Sequence, residues 1–263
     1  MVEKRETRES KLILKILQGI FIGLAMILPG LSAGTVILIL GFYHQFLDDL
    51  ASFRIRLYLP LIGGALAGAL LGVYAISFLL LRFETAVMAF LLGMLLASIP
   101  TVINYHKAQT ILPWPLLLGI SGFVLSWFVF CEPANTFTVL PPGGLFHFFL
   151  GGTLASAAML LPGVSGSSVL IIMNLYDDAI FAITNWQWPK LIVLAAGFTV
   201  GLFGLARLLS ALYRRYQTAI SFLLAGLILG STRALLPTHF SFTLFVAAVC
   251  GALVVFLITR KRC

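Results

Sequence analysis

Long apolar runs separated by short polar turns dominate the chain. They fall at residues 12–28, 31–47, 59–81, 86–104 and 112–131, and again at 145–161, 165–182, 190–212, 218–236 and 241–259. A helix needs about 20 apolar residues to cross a bilayer. The pattern therefore predicts an all-α polytopic membrane protein. Between the runs lie a mixed-charge tail at 1–11, a turn-rich linker at 132–144 and a basic end at 260–263. The run from Leu12 is not followed by a small-x-small site, so no cleaved leader is expected.

The two sets of runs match. Residues 25–34, Ala-Met-Ile-Leu-Pro-Gly-Leu-Ser-Ala-Gly, correspond to residues 158–167, Ala-Met-Leu-Leu-Pro-Gly-Val-Ser-Gly-Ser, at an offset of 133. The same offset pairs Tyr43 with Tyr176, Arg82 with Arg215, Gly93 with Gly226 and Ser98 with Ser231. Pro60, Gly68 and Gly72 match Pro189, Gly197 and Gly201 at 129. Apolar residues coincide easily by chance; an ordered series of Pro-Gly, Ser, Tyr and Arg does not. The chain reads as repeat 1 (12–131) and repeat 2 (145–259) within a single membrane domain.

Composition agrees. Hydrophobic residues make up 60% of the 263, and charged residues only 10%, against about 25% charged in soluble domains. The net charge of +8 does not indicate nucleic acid, because the basic residues sit at the ends of the runs. With the first two runs of each half forming a hairpin and the N-terminus inside, only Arg82, Lys190 and Arg233 of the 17 Lys and Arg fall outside. This satisfies the positive-inside rule with both termini cytoplasmic. Each half then crosses an odd number of times, so the halves are inverted. That parity holds whether each first pair is re-entrant or spans fully. The expected repeat is a re-entrant, Pro-Gly-broken hairpin plus three transmembrane helices.

The doubled break carries the candidate chemistry. Pro29-Gly30 and Pro162-Gly163 interrupt apolar runs near their middles. Backbone groups freed in hydrocarbon need partners from protein, water or ligand. Small hydroxyl residues follow each break: Ser32 and Thr35 with Gly34, then Ser165, Ser167 and Ser168 with Gly166. Hydroxyls and bare N–H groups at a helix start suit a phosphate or carboxylate. The alternative is a kinked helix with small residues for packing.

Arg82, Arg215 and Arg233 are further candidates for an anion, because Arg matches phosphate geometry; interfacial snorkelling is the competing reading. Asp48, Glu84 and Asp177 are candidates for ion coupling, against the plainer reading of solvated ends or a local Arg82–Glu84 pair. Glycines spaced by four, Gly19/Gly23, Gly64/Gly68/Gly72, Gly197/Gly201 and Gly226/Gly230, read as close-packing faces. Three of the four tryptophans (Trp114, Trp127, Trp186, Trp188) fit an interfacial belt.

Enzyme readings fare worse. Gly163-Val164-Ser165-Gly166 has the form of an intramembrane serine protease nucleophile, but neither His239 nor His147 has the sequence context of its base. The sets needed for an acid-type lipid phosphatase are absent. Cys131, Cys250 and Cys263 are far apart with no C-x-x-C, so neither metal nor disulfide is indicated.

The stretch 23–35, Gly-Leu-Ala-Met-Ile-Leu-Pro-Gly-Leu-Ser-Ala-Gly-Thr, with Gly41-Phe42-Tyr43 after it, resembles the signature of the bacterial domain-of-unknown-function-368 family. So do residues 161–167 and 226–233, the latter reading Gly-Leu-Ile-Leu-Gly-Ser-Thr-Arg. The resemblance implies a polyprenyl-phosphate transporter that is not an enzyme and needs no cofactor. It would return undecaprenyl phosphate from the outer to the inner leaflet of the cytoplasmic membrane, by alternating access, for reuse as a carrier of envelope glycans. Coupling would fall to a proton or sodium gradient. Ala33 stands where a glycine is usual, and His44 where an acidic residue is expected after the tyrosine. The main alternative is an ion-coupled transporter of a small soluble anion. Oligomeric state and polyprenyl chain length are not legible.

Overall fold

The computed structural model describes residues 2–27, 32–103, 113–128, 144–236, 239 and 241–260. Pro29 and Gly30, most of the 132–144 linker and residues 261–263 lie outside the described residues. The described elements are helices: α1 (Val2–Ile27), α2 (Ala33–Ile39), α3 (Tyr43–Ala51), α4 (Leu59–Val102), α5 (Pro113–Phe128), α6 (Leu145–Leu160), α7 (Gly166–Ile172), α8 (Tyr176–Thr184), α9 (Trp188–Arg215), α10 (Gln217–Ser231) and α11 (Phe242–Arg260). Short 3₁₀ turns lie at Ile55–Tyr58 and Thr232–Leu235. No strand occurs among the described residues.

Helix length explains the bend in α4. Its 44 residues, at about 1.5 Å each, would overshoot a hydrocarbon core of about 30 Å twofold if straight. Phe83 leaves the helical region, at φ −140° and ψ 35°, and divides α4 into two arms. At the matching place Tyr216, at φ −131° and ψ 49°, separates α9 from α10. Among the described residues, five stretches are long and apolar enough to cross a membrane: Ile55–Ala75, Phe78–Val102, Trp188–Arg215, Gln217–Leu235 and Phe242–Arg260. The α7–α8 pair, bent by 106°, makes a sixth if counted as one broken span.

The runs 31–47 and 165–182, each continuous in hydropathy, are each two short helices. Gly41 at φ 70° ends the first helix of one pair, and Asn174 at φ 52° ends the first of the other. A left-handed residue stops a helix whatever the polarity around it, so hydropathy alone passes over both turns.

Packing follows the glycine spacing. α1 lies along the first arm of α4, and α6 along α9. A Cβ on Gly19 or Gly23 would overlap the backbone at Leu61 or Ala65; one on Gly64 or Gly68 would overlap Ile16 or Ile20. Gly197 and Gly201 meet Phe149 and Thr153 in the same way. Close backbone approach lets dispersion hold helices together where lipid removes any hydrophobic drive. The last helix of each half crosses to the other half. α5 packs on α10 at Gly119 and Gly226, and α11 packs on the second arm of α4 at Gly93 and Gly251. α2 sits at the centre of this bundle, with Gly34 through Ile39 all buried.

Candidate functional site

The site is built where α6 stops. Pro162 cannot continue the helix, so the last α6 carbonyls need partners from elsewhere. The first hairpin supplies them. The Tyr43 hydroxyl donates to the Leu160 carbonyl at 2.8 Å. Ser32 is the N-cap of α2, and its Oγ accepts from the Thr35 amide at 3.2 Å. The two hydroxyls lie 2.9 Å apart. The Gly163 amide donates to both, at 2.9 Å to Thr35 Oγ1 and 3.2 Å to Ser32 Oγ. Gly163 has φ +80°, and a Cβ there would lie 2.7 Å from the Leu227 carbonyl and 3.0 Å from Ser231 Oγ. Glycine is required twice over, by conformation and by space. Gly34 is constrained by space alone, since a Cβ would fall 2.8 Å from the Leu160 carbonyl.

The second loop is less engaged. Ser165 is the N-cap of α7 but makes no side-chain bond to the backbone there. Its Oγ lies 2.6 Å from Ser167 Oγ, and both residues are exposed. Ser168 is half-buried, while Pro162 and Gly166 are buried. The structure thus brings Ser32, Gly34, Thr35, Pro162 and Gly163 into one locked contact, with Ser165 and Ser167 beside it in sequence and open. Pro29 and Gly30 lie outside the described residues.

The arginines take different places. Arg82 is exposed beside the Phe83 bend, with Glu84 exposed just past it. Arg215 is exposed at the end of α9, its guanidinium 5.3 Å from the Tyr216 ring centre. Arg233 is half-buried; it donates to the Trp127 carbonyl at 2.8 Å and lies 5.5 Å from the Trp127 ring centre. Asp177 is exposed in the first turn of α8, where the helix dipole favours a carboxylate. Among the described residues, none of Arg82, Arg215 and Asp177 makes a hydrogen bond or ion pair to the serine loops.

Asp48 is more involved than a loop end. It accepts from Ser210 Oγ and pairs with Arg214 at 3.2 Å, so it joins α3 to α9. His44, one turn earlier, stacks on Tyr213 with ring centres 3.5 Å apart. Arg207 donates to the Ala51 carbonyl at 3.1 Å and covers the Phe53 ring at 4.6 Å. Beside this seam lies a cavity of about 160 Å³, lined by Tyr43, His44, Thr101, Tyr213, Gln217 and Ser221 among others. Asp49 turns the other way and accepts from the Tyr58 hydroxyl at 2.9 Å.

Comparison with known proteins decides the family. The family model described as "Undecaprenyl phosphate translocase-like" matches residues 2–114 and 115–250. The chain belongs to this family. It is 26% identical over 245 residues to a protein of Vibrio cholerae serotype O1 named "Polyprenyl-phosphate transporter", covering 84% of this chain and 76% of that one. It is 27% identical over 247 residues to a protein of the same name from Staphylococcus aureus, covering 85% and 86%. No solved structure matches. Both relatives are named as transporters, not enzymes. With its long apolar helices, this family member is a multi-pass membrane protein.

Three features of the site went unread in the sequence. Tyr43 was visible as a repeated residue, but its role as donor to Leu160 depends on where the other half sits. The His44–Tyr213 stack and the Asp48–Ser210 bond join residues more than 160 apart in sequence. Asp48 reads in the sequence as a candidate for ion coupling or a solvated end, and nothing there marks α9 as its partner.

Proposed function

We propose that the protein transports undecaprenyl phosphate, or a related polyprenyl phosphate, from the outer to the inner leaflet of the bacterial cytoplasmic membrane, returning it for reuse as a carrier of envelope glycans. The observation that carries this reading is the family match across nearly the whole chain, with two relatives named for polyprenyl phosphate. The two halves are inverted, both termini are cytoplasmic, and the hairpins expose one site alternately to each side.

The chemistry of the substrate fits the residues. An isoprenoid tail can stay in the bilayer throughout, so only the phosphate must cross. Its desolvation is prohibitive unless the protein replaces its water. When the docked loops part, the Gly163 N–H and the Ser32 and Thr35 hydroxyls are donors freed for phosphate oxygens, with Ser165 and Ser167 already open. Hydrogen bonds to a charged group contribute about 1.5–3 kcal/mol each, so a cluster of them offsets a large part of the cost. Arg82 and Arg215 hold the head group at entry and exit, and Arg233 lies deeper. Asp48, Glu84 and Asp177 are the carboxylates available for coupling to a proton or sodium gradient.

The test is lipid flipping by the purified protein in proteoliposomes, with labelled polyprenyl phosphate followed between leaflets. Polyprenyl phosphate should move while polyprenol and phosphatidylglycerol do not. Ser32→Leu and Ser165→Leu should insert normally and stop movement; flipping retained in either would overturn the assigned site. Failure to flip under any imposed sodium or proton gradient, with uptake of a soluble anion instead, would replace this reading by that of a soluble-anion transporter.

A further inference from the structure

The two hairpins are not docked alike. α3 packs along α9, through Phe53 on Phe203 (ring centres 4.6 Å apart), Arg207 on Ala51 and Phe53, Asp48 on Ser210 and Arg214, and His44 on Tyr213. The matching partners in the other half are α8 and the first arm of α4. Among the described residues they have no comparable packing. Their facing positions can be read from the repeat. Phe53 and Ala51 map to Trp186 and Thr184 at the hairpin offset of 133, and Phe203 and Arg207 map to Tyr74 and Phe78 at the helix offset of 129. Tyr74 is 84% exposed, Phe78 61%, Phe181 54% and Trp186 67%. Leu70, Tyr74, Phe78 and Leu81 form one exposed stripe at helical spacing.

The backbone is ready for the contact. Phe53, at the end of the docked hairpin, has φ 57°; Trp186, at the same place in the undocked one, has φ 51°. A bulky residue rarely adopts this conformation. The second hairpin therefore already has the shape that the first uses to reach α9. We infer that α8 closes on the first arm of α4 in a second conformation, through Trp186 on Tyr74 and Thr184 on Phe78, while the polar seam between α3 and α9 opens. The structure is then the state sealed at the α3–α9 end. The two closures differ in kind: one adds charges and hydroxyls to its ring contacts, the other is an aromatic contact alone that costs little to expose to lipid. This inference rests on the reading of the protein as an alternating-access transporter.

Paired cysteines test it, in protein whose Cys131, Cys250 and Cys263 are replaced by serine. One protein carries Phe53→Cys with Phe203→Cys, the other Tyr74→Cys with Trp186→Cys. Each is treated in proteoliposomes with a short, cleavable, thiol-reactive cross-linker. Both pairs should cross-link, each cross-link should stop polyprenyl-phosphate flipping, and cleavage should restore it. A pair that does not flip before cross-linking is replaced by Ala51→Cys with Arg207→Cys, or by Phe78→Cys with Thr184→Cys. Flipping that continues with 53 joined to 203 would overturn the inference. So would a 74–186 pair that never joins while flipping proceeds. Both cross-links forming in protein that flips no lipid phosphate would uphold the two conformations and overturn the transport reading instead.

Discussion

The α2–α3 and α7–α8 hairpins share a backbone plan. Each turns at a left-handed residue, Gly41 or Asn174, and each leaves through another, Phe53 or Trp186. Their side chains do opposite things. Thr35 and Tyr43 are buried and bonded to the other half's break, whereas Ser165, Ser167 and Tyr176 are exposed. His44 and Asp48 bind α9; their counterparts Asp177 and Phe181 are exposed. The repeat therefore conserves where the chain bends, while the environment of each bend is set by the other half. The comparison teaches that one hairpin is held by specific polar contacts to the other half and that the other keeps its polar groups open.

The sharpest way to break this contrast is at the lock itself. In Gly163→Val, a β-branched residue must adopt φ +80° and place its Cβ 2.7 Å from the Leu227 carbonyl. Left-handed strain alone costs about 1–2 kcal/mol, and the overlap adds to it. The expected result is loss of about 3 kcal/mol or more and little folded protein in detergent. Gly204→Val is the control, because Gly204 lies inside α9 and nothing lies within 4 Å of a Cβ there; its melting temperature should stay near that of the wild type. Equal behaviour of the two variants would mean that the break is not packed as described.

A smaller effect is expected from the hydroxyl that holds Gly163. Thr35→Val keeps shape and removes the acceptor 2.9 Å from the Gly163 amide. A buried donor left without its best partner costs about 1–3 kcal/mol. The matching change in the open hairpin, Ser168→Ala, should cost about 0.5 kcal/mol or less, as at ordinary surface positions. Denaturation in mild detergent, followed by tryptophan fluorescence, measures both. A Ser168→Ala loss as large as that of Thr35→Val would erase the asymmetry.

Much of this architecture was legible beforehand, and the reasons are physical. Membrane helices announce themselves because hydrocarbon tolerates no unpaired backbone. The repeat is visible because Pro, Gly, Tyr and Arg mark the bends and ends that both halves share. Glycines spaced by four mark packing faces in the sequence, and Gly19, Gly64, Gly197 and Gly226 all lie in helix contacts. What escaped depends on the relation between the halves. Nothing near Asp48 in the chain points to Ser210, and nothing in 31–47 betrays that Gly41 turns the chain, since apolar residues flank it on both sides. The left-handed Phe53 and Trp186 were equally silent, because a bulky residue at positive φ runs against local preference and is held there by its surroundings. Of the candidate site, Pro162-Gly163 marks in the sequence where α6 ends, while the groups that meet it come from a hairpin 131 residues away.

The finest form of the comparison lies in one oxygen atom on each hairpin. Tyr43 and Tyr176 occupy the same place in the repeat, each opening the second helix of its pair. The Tyr43 hydroxyl is buried and donates to Leu160, a carbonyl at the end of α6 that Pro162 prevents from being satisfied in the ordinary way. Tyr43→Phe removes only that donor and leaves the ring packed, so the loss is that of one buried hydrogen bond, about 1 kcal/mol. Tyr176→Phe should change stability by less than about 0.5 kcal/mol, because its side chain is exposed. The transport rates should separate the pair as well, independently of how much protein is folded. Loosening the Tyr43 contact weakens the docked state and shifts the balance toward the undocked one, so Tyr43→Phe should alter the flipping rate even at temperatures where the protein is fully folded. A Tyr43→Phe protein that melts earlier but flips at the wild-type rate would show the docking of α3 on the α6 end to be structural alone. A rate change in Tyr176→Phe as large as that in Tyr43→Phe would show that both tyrosines work in both states.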